Sequence, residues 1–287
     1  MQLIHHTKQQ QTPIRVVDYI PGIFPQLPTK SSVKKAISKG QIYVDGKLVS
    51  TAVFIIGGEQ IKLLQQPSRQ IHKTLNLTLK VVFEDNFLAI VVKPAGILVN
   101  GNSYRTIDNA LVQNLTHSSE IDGCRPRPVH RLDFPTSGLL LIGKTTSSII
   151  ALNKLFENSL VKKTYVAVTE GHKTTSGTIN IPIDGKQAIS EYKTLHSISS
   201  KHSTYLNLMC LFPKTGRRHQ LRKHLSANDT PILGDLEYGK ENKTRGKGLY
   251  LHAHRLEFTH PFTNATINSK DDVPKKFKKL FHLFPFN

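Results

Sequence analysis

Residues 129–144 read VHRLDFPTSGLLLIGK. The run Leu139 to Ile142 lies between two glycines and is apolar at every position, which predicts a short strand buried on both faces. Ahead of it, Pro-Thr-Ser-Gly is turn chemistry. One carboxylate, Asp133, therefore stands at the mouth of a buried strand, just after the basic pair His130 and Arg131. An aspartate at such a turn has an ordinary structural reading, so the rest of the chain must decide whether it does more.

Strands dominate outward from this stretch. LKVVFEDNFLAIVVKPAG (79–96) is two β-rich runs joined across Asp85-Asn86, and KTYVAVTEG (163–171), STYLNLMCLF (203–212) and LYLHAHRLEFTHPF (249–262) add further strands. Helices are fewer. TIDNALVQNL (106–115) starts at Thr106 as N-cap, and TTSSIIALNKLFEN (145–158) sets Ile149, Leu152 and Phe156 on one face. TGRRHQLRKHLSAN (215–228) reads as a helix with Arg218 and Arg222 four apart on one face and a glycine-led, basic start suited to an anion. Lys163 and Tyr165, two apart on a strand, share a face. The economical fold class is α+β, with a mainly antiparallel mixed β-sheet.

Residues 1–12 read as a polar tail and 13–64 as a small separate α/β module. In the module, Val33, Ala36 and Ile37 have helical spacing, Lys34, Lys35 and Lys39 project elsewhere, and Gly40 caps the helix. Asp45-Gly46 then turns a hairpin. On the local pattern alone such lysines read as a solvated helix face. Residues 65–76 read as a linker, 77–270 as the large domain, and 271–287 as a basic C-terminal helix and tail. In that tail Phe277, Leu280, Phe281 and Phe284 form an apolar face.

The chain has 287 residues and 38% hydrophobic content, enough for a substantial core. Thirty-nine Lys and Arg against 20 Asp and Glu give a formal charge of +19, which suits a surface that lies along a polyanion. No run approaches the roughly 18 apolar residues of a spanning helix, and the N-terminus has no apolar signal core, so a cytoplasmic, monomeric protein without a membrane partner is expected. Cys124 and Cys210 lack metal or disulfide spacing. His130, His219, His224, His252, His254 and His260 form no HExxH, and no metal is expected.

Taken together, the blocks carry a resemblance. HRLDFPTSGLLLIGK resembles the H-R-L-D-x-x-T-S-G signature of the RluA-type pseudouridine synthases. EDNFLAIVVKPAGILV, KKTYVAV, TGRRHQLRKHL, PILGDLEYG and LHAHRLEFTHP are similar to that family's other blocks in order, over about residues 77 to 262. The N-terminal module resembles the S-four type RNA-binding domain through IYVDGK, although TKSS stands where an Arg is usual. Arg218 stands where the family usually has Thr or Lys.

The resemblance implies a pseudouridine synthase fold and an RNA-modifying isomerase with no cofactor, acting on ribosomal or transfer RNA. The reaction breaks the uracil N1 to ribose C1′ bond and rejoins the base through C5. Asp133 is then the catalytic carboxylate, Arg222 the cation that keeps it ionised, and Tyr165 the ring on which the extruded base stacks. Arg131 displaces the base or contacts phosphate, and Lys163, Arg217, Arg218, His219 and Gln220 lie on the RNA path. Lys34, Lys35 and Lys39 bind RNA from the module. The alternative is a non-catalytic RNA-binding or ribosome-assembly protein on the same fold. A glycoside hydrolase would need a second carboxylate near the first.

Overall fold

The computed structural model describes residues 2–64, 74–201, 203–239, 248–282 and 284, and the chain divides into two compact units, Met1–Ile71 and His72–Asn287. The first unit contains β1 (Gln2–His6), β2 (Ile14–Arg15), α1 (Val16–Tyr19), α2 (Lys30–Ser38), β3 (Ile42–Val44), β4 (Lys47–Leu48), β5 (Phe54–Ile55) and β6 (Gln60–Leu64). Its main sheet has the order β1-β6-β3-β4, and β2 pairs with β5. α2 starts where Thr29 and Ser32 cap each other reciprocally, and it buries Val33, Ala36 and Ile37. Asp45 and Gly46 both have positive φ, 47° and 74°, which matches the twist of a two-residue hairpin between β3 and β4.

The expected polar tail needs correction, because Gln2–His6 is a strand paired antiparallel with β6. Leu3 and His5 share its inner face and Ile4 turns outward. Apolar and polar residues thus fall on both faces, which erases the alternation that announces a strand. Most of the expected linker, residues 65–73, lies outside the described residues. Leu75 already belongs to the second unit, its N–H donating to the Asn109 carbonyl at 2.9 Å.

The second unit contains β7 (Lys80–Glu84), β8 (Leu88–Lys93), α3 (Ile107–Asn114), β9 (Gly123–Pro128), β10 (Ser137–Thr145), α4 (Thr146–Glu157), β11 (Lys162–Gly171), β12 (Ser176–Asn180), β13 (Ile189–Ser200), β14 (Thr204–Pro213), α5 (Gln220–Ala227), β15 (Leu251–Thr259), β16 (Thr266–Lys270) and α6 (Lys275–Leu280). One sheet runs β12-β13-β14-β11-β15-β10-β8-β7, with β16 beside β15 and β9 beside β10. Every pairing in it is antiparallel except β10 with β15. The C-terminal helix α6 packs on this unit through its apolar face. Phe277 and Phe281 are fully buried in the core of β11, β14 and α5, with Leu280 and Phe284 packed against it.

The parallel seam sets the site. Ser137 pairs with His252 and Gly138 with Ala253, and on the other edge of β15 Ala253 pairs with Tyr165. Gly138 has φ 118°, and a Cβ there would stand 2.3 Å from the Ala253 carbonyl oxygen. Only glycine lets the strands meet so closely. That row carries the turn bearing Asp133 and the strand bearing Tyr165 to the same place.

Candidate active site

The turn at 129–136 is tied down from several sides. The Thr136 N–H donates to the Asp133 carbonyl, closing the turn at 3.1 Å, and the Gly96 N–H donates to the Phe134 carbonyl at 2.8 Å. Leu132 is buried, while the Asp133 side chain is 16% exposed. His130 Nε2 accepts from the Leu141 N–H at 2.9 Å, and its ring stacks on Phe156. Burial, with help from Lys163, pushes the His130 pKa down to about 3, so this imidazole is a neutral acceptor that fastens the turn to β10.

Lys93 closes the turn from beneath. It ends the apolar strand β8 fully buried, and its Nζ donates to the carbonyls of Pro94, Phe134 and Thr136 at 2.9, 3.3 and 2.7 Å. Burial pushes its pKa down to about 8, against the pull of the Asp133 charge. Sequence reasoning assigned this lysine nothing. The signal was there: one cation terminates a run of otherwise apolar strand residues, where burial of a charge demands partners.

A cleft of about 570 Å³ opens over the turn, and its walls include Arg131, Asp133, Lys163, Tyr165, His219 and Arg222. Arg217, Arg218 and Gln220 also line it. Lys163 and Tyr165 reach it from one face of β11. Burial, followed by the Asp133 charge, holds the Tyr165 phenol above its ordinary pKa, so the ring presents a neutral hydroxyl. Arg131 and Arg218 are exposed at the rim, and Arg217 donates to the Gln187 carbonyl at 3.0 Å.

Three expectations change. α5 begins only at Gln220, because His219 takes a left-handed conformation with φ 54°, so Arg218 precedes the helix and does not share a helical face with Arg222. Gln220 is turned inward and 4% exposed, its amide donating to the Ile189 carbonyl and Ser190 Oγ and its oxygen accepting from the Arg217 N–H. Its side chain is engaged in shaping the loop at the cleft wall. Arg222, finally, is bound to another acid. Its Nε and Nη2 donate to the two Asp235 oxygens at 2.7 Å each, Nη2 also donates to Glu237 at 3.1 Å, and Nη1 stands 3.9 Å from Asp133.

Asp235 is therefore the residue that aims Arg222. It also accepts from the Glu237 and Tyr238 N–H groups, and despite burial its carboxyl is held below the ordinary range by Arg222 and these amides. Burial disfavours the Arg222 charge, but Asp235, Asp133 and Glu237 outweigh it and raise its pKa. The guanidinium lies 4.8 Å over the Tyr238 ring. The remaining histidines of the motif blocks have local partners: His224 meets Ser190 and the Ile181 carbonyl, His252 meets Ser137, His254 the Asp271 carbonyl, and His260 Asp85. Among the described residues no group of three or more His, Cys, Asp and Glu is placed to hold a metal ion.

The RNA pseudouridylate synthase family profile matches residues 87–227, which span the turn, the cleft strands and α5. The chain is 30% identical over 285 residues to ribosomal large subunit pseudouridine synthase D of Buchnera aphidicola, covering 88% of each chain. It is 32% identical to ribosomal large subunit pseudouridine synthase C of Rickettsia felis, covering 94% of this chain and 97% of the relative. The chain belongs to the RNA pseudouridylate synthase family. This pseudouridylate synthase is accordingly an RNA-acting isomerase rather than the non-catalytic alternative. A tRNA pseudouridine synthase C of Pasteurella multocida is 32% identical over 74% of this chain and 98% of its own length. Human RNA Pseudouridylate Synthase Domain Containing 4 shares the fold, with a TM-score of 0.57 at 24% identity over 71% of this chain and 92% of its own. No helix of the described residues is long and apolar enough to cross a membrane.

Proposed function

We propose that Asp133 is the carboxylate that opens the glycosidic bond in this synthase, with Tyr165 as the surface for the extruded uracil and Arg222 as the nearby cation. One observation carries the reading: Asp133 shares a cleft with Tyr165 and Arg222 while Arg131, Lys163, Arg217 and Arg218 surround it. A carboxylate can serve glycosidic cleavage as nucleophile or as stabiliser of a developing ribose cation. Its neighbours, His219 Nε2 at 3.8 Å and Arg222 Nη1 at 3.9 Å, stand beyond hydrogen-bond length and leave its oxygens open to a substrate.

Ribosomal RNA is the first substrate class, supported by the two relatives that match nearly the whole chain and are named for the large subunit. The transfer-RNA relative supports the second. Acting as a monomer in the cytoplasm is part of the same reading. The N-terminal unit adds RNA affinity through the exposed Lys34 and Lys35 on α2 and Lys39 at its C-cap. The test is Asp133→Asn, nearly isosteric but unable to act as an anion or nucleophile. Pseudouridine formation should vanish while RNA binding persists, and turnover at even a few per cent of wild type rejects the assignment. Pseudouridine maps of cells with and without the gene identify the RNA.

A further inference from the structure

The chain enters α5 through His219 with φ 54° and ψ 25°. A left-handed conformation costs a non-glycine residue about 1–2 kcal/mol, and such outliers persist where the surroundings hold them for a purpose. The His219 side chain does not cap the helix it precedes. Its ring is turned into the cleft, where the two nitrogens meet different groups. Nδ1 lies 3.0 Å from the Tyr238 hydroxyl and 3.5 Å from Glu237 Oε2, and Nε2 faces Asp133.

Nδ1 thus faces two oxygens that can accept its proton, the Tyr238 hydroxyl at 3.0 Å and the Glu237 carboxylate at 3.5 Å. With its proton on Nδ1, a neutral imidazole points the Nε2 lone pair toward the space beside Asp133.

The isomerisation needs such a lone pair. Once C5 has bonded to C1′, the ring carries an N1=C6 double bond and a hydrogen on tetrahedral C5. Loss of that hydrogen as a proton returns its electron pair to C5=C6, moves the former double-bond pair to N1, and N1 takes up a proton. No oxidant or reductant enters. Tyr165 keeps its phenolic proton under burial and the Asp133 charge, and Arg222 is a permanent cation, so neither supplies a base.

We infer that His219 is the general base that takes the C5 proton, with Tyr238 and Glu237 as positioning residues that fix its tautomer and aim. The inference rests on the Asp133 cleft being the place of reaction. Its test uses the full chain and large-subunit ribosomal and transfer RNA transcripts made with uridine deuterated at C5. His219→Asn suits the left-handed backbone and retains an amide for Tyr238, but lacks Nε2. Single-turnover rates on the deuterated and ordinary transcripts should show a larger primary isotope effect in the variant than in wild type. The rate should fall about 10²- to 10⁴-fold with KM unchanged. Tyr238→Phe, which removes only the hydroxyl, should give a smaller rise in the same isotope effect. A slower His219→Asn enzyme with the wild-type isotope effect, or one changed only in KM, overturns the inference. Asp133→Asn run in parallel separates the two readings: its failure to abolish turnover rejects the site, whereas a lost isotope effect with Asp133 essential rejects only the base.

Discussion

At Tyr165 the ring and the hydroxyl carry different expectations. The hydroxyl is held protonated by burial and the Asp133 charge, so its part in the reaction is small if the ring serves as a platform. Tyr165→Phe should then remain active while Tyr165→Ala loses about 1–3 kcal/mol of base stacking, roughly five- to hundredfold in kcat/KM. Equal damage from the two substitutions contradicts stacking. His130 makes a stability prediction instead. Its pKa is about 3 in the folded chain against about 6.5 when exposed, so below pH 6.5 the unfolded chain binds a proton the native one does not. Stability from this group is complete above pH 6.5 and is lost as pH falls toward 3. His130→Gln, which can still accept from the Leu141 N–H, should flatten the urea midpoint between pH 6.5 and 4. An unchanged slope removes His130 from the acid limb of stability.

Among the elements, the loop from Asp235 to Tyr238 matters as much as α5 itself. Arg222 is 5% exposed and Asp235 4%, so each is buried on the strength of the other. Asp235→Ala leaves the guanidinium with Glu237 at the surface and Asp133 at 3.9 Å, and breaking such a buried pair costs about 3–5 kcal/mol. Urea denaturation should show that loss, together with reduced turnover as Arg222 relaxes. A loss under about 1 kcal/mol shows that Arg222 finds its second acid without help. The block PILGDLEYG resembled the family as a unit, but the role of its aspartate was not legible. A pair 13 residues apart across a helix and a loop has no periodicity to betray it. The shared helical face of Arg218 and Arg222 fails for a related reason: spacing alone extends the helix back to Arg218, and nothing in the local pattern announces the left-handed His219 that interrupts it.

For the whole molecule the two units suggest a division of labour. Val16, Ile20, Val33, Ile37, Ile42, Ile55 and Ile61 give the first unit a core of its own, and every residue of the cleft lies in the second. A chain beginning at Lys73 should fold and still isomerise uridine in a short RNA. It should lose affinity for long structured RNA, because Lys34, Lys35 and Lys39 no longer reach phosphates. Each lost contact lowers the slope of log K against log[salt] by about 0.7 to 0.9 in magnitude, so a salt series with both chains reads the number directly. Identical slopes show that the first unit makes no phosphate contact.

What the residues determined without a structure were the features that depend on near neighbours. The buried strand Leu139–Ile142, the Thr106 cap, the Asp45-Gly46 hairpin and the apolar face of α2 all follow from periodicity and backbone preference within a few positions. Asp133 and Tyr165 were singled out because their blocks resemble a family, and the fold brings both to one cleft. Only the tertiary structure decided that Gln2–His6 is a strand, that Lys93 braces the turn bearing Asp133 across some forty residues of chain, that Asp235 holds Arg222, and that His219 meets Tyr238. Each of these is a polar group satisfied by a partner distant in sequence. Burial makes such a partner obligatory, but the identity of the partner is set by which strands and loops the fold brings together.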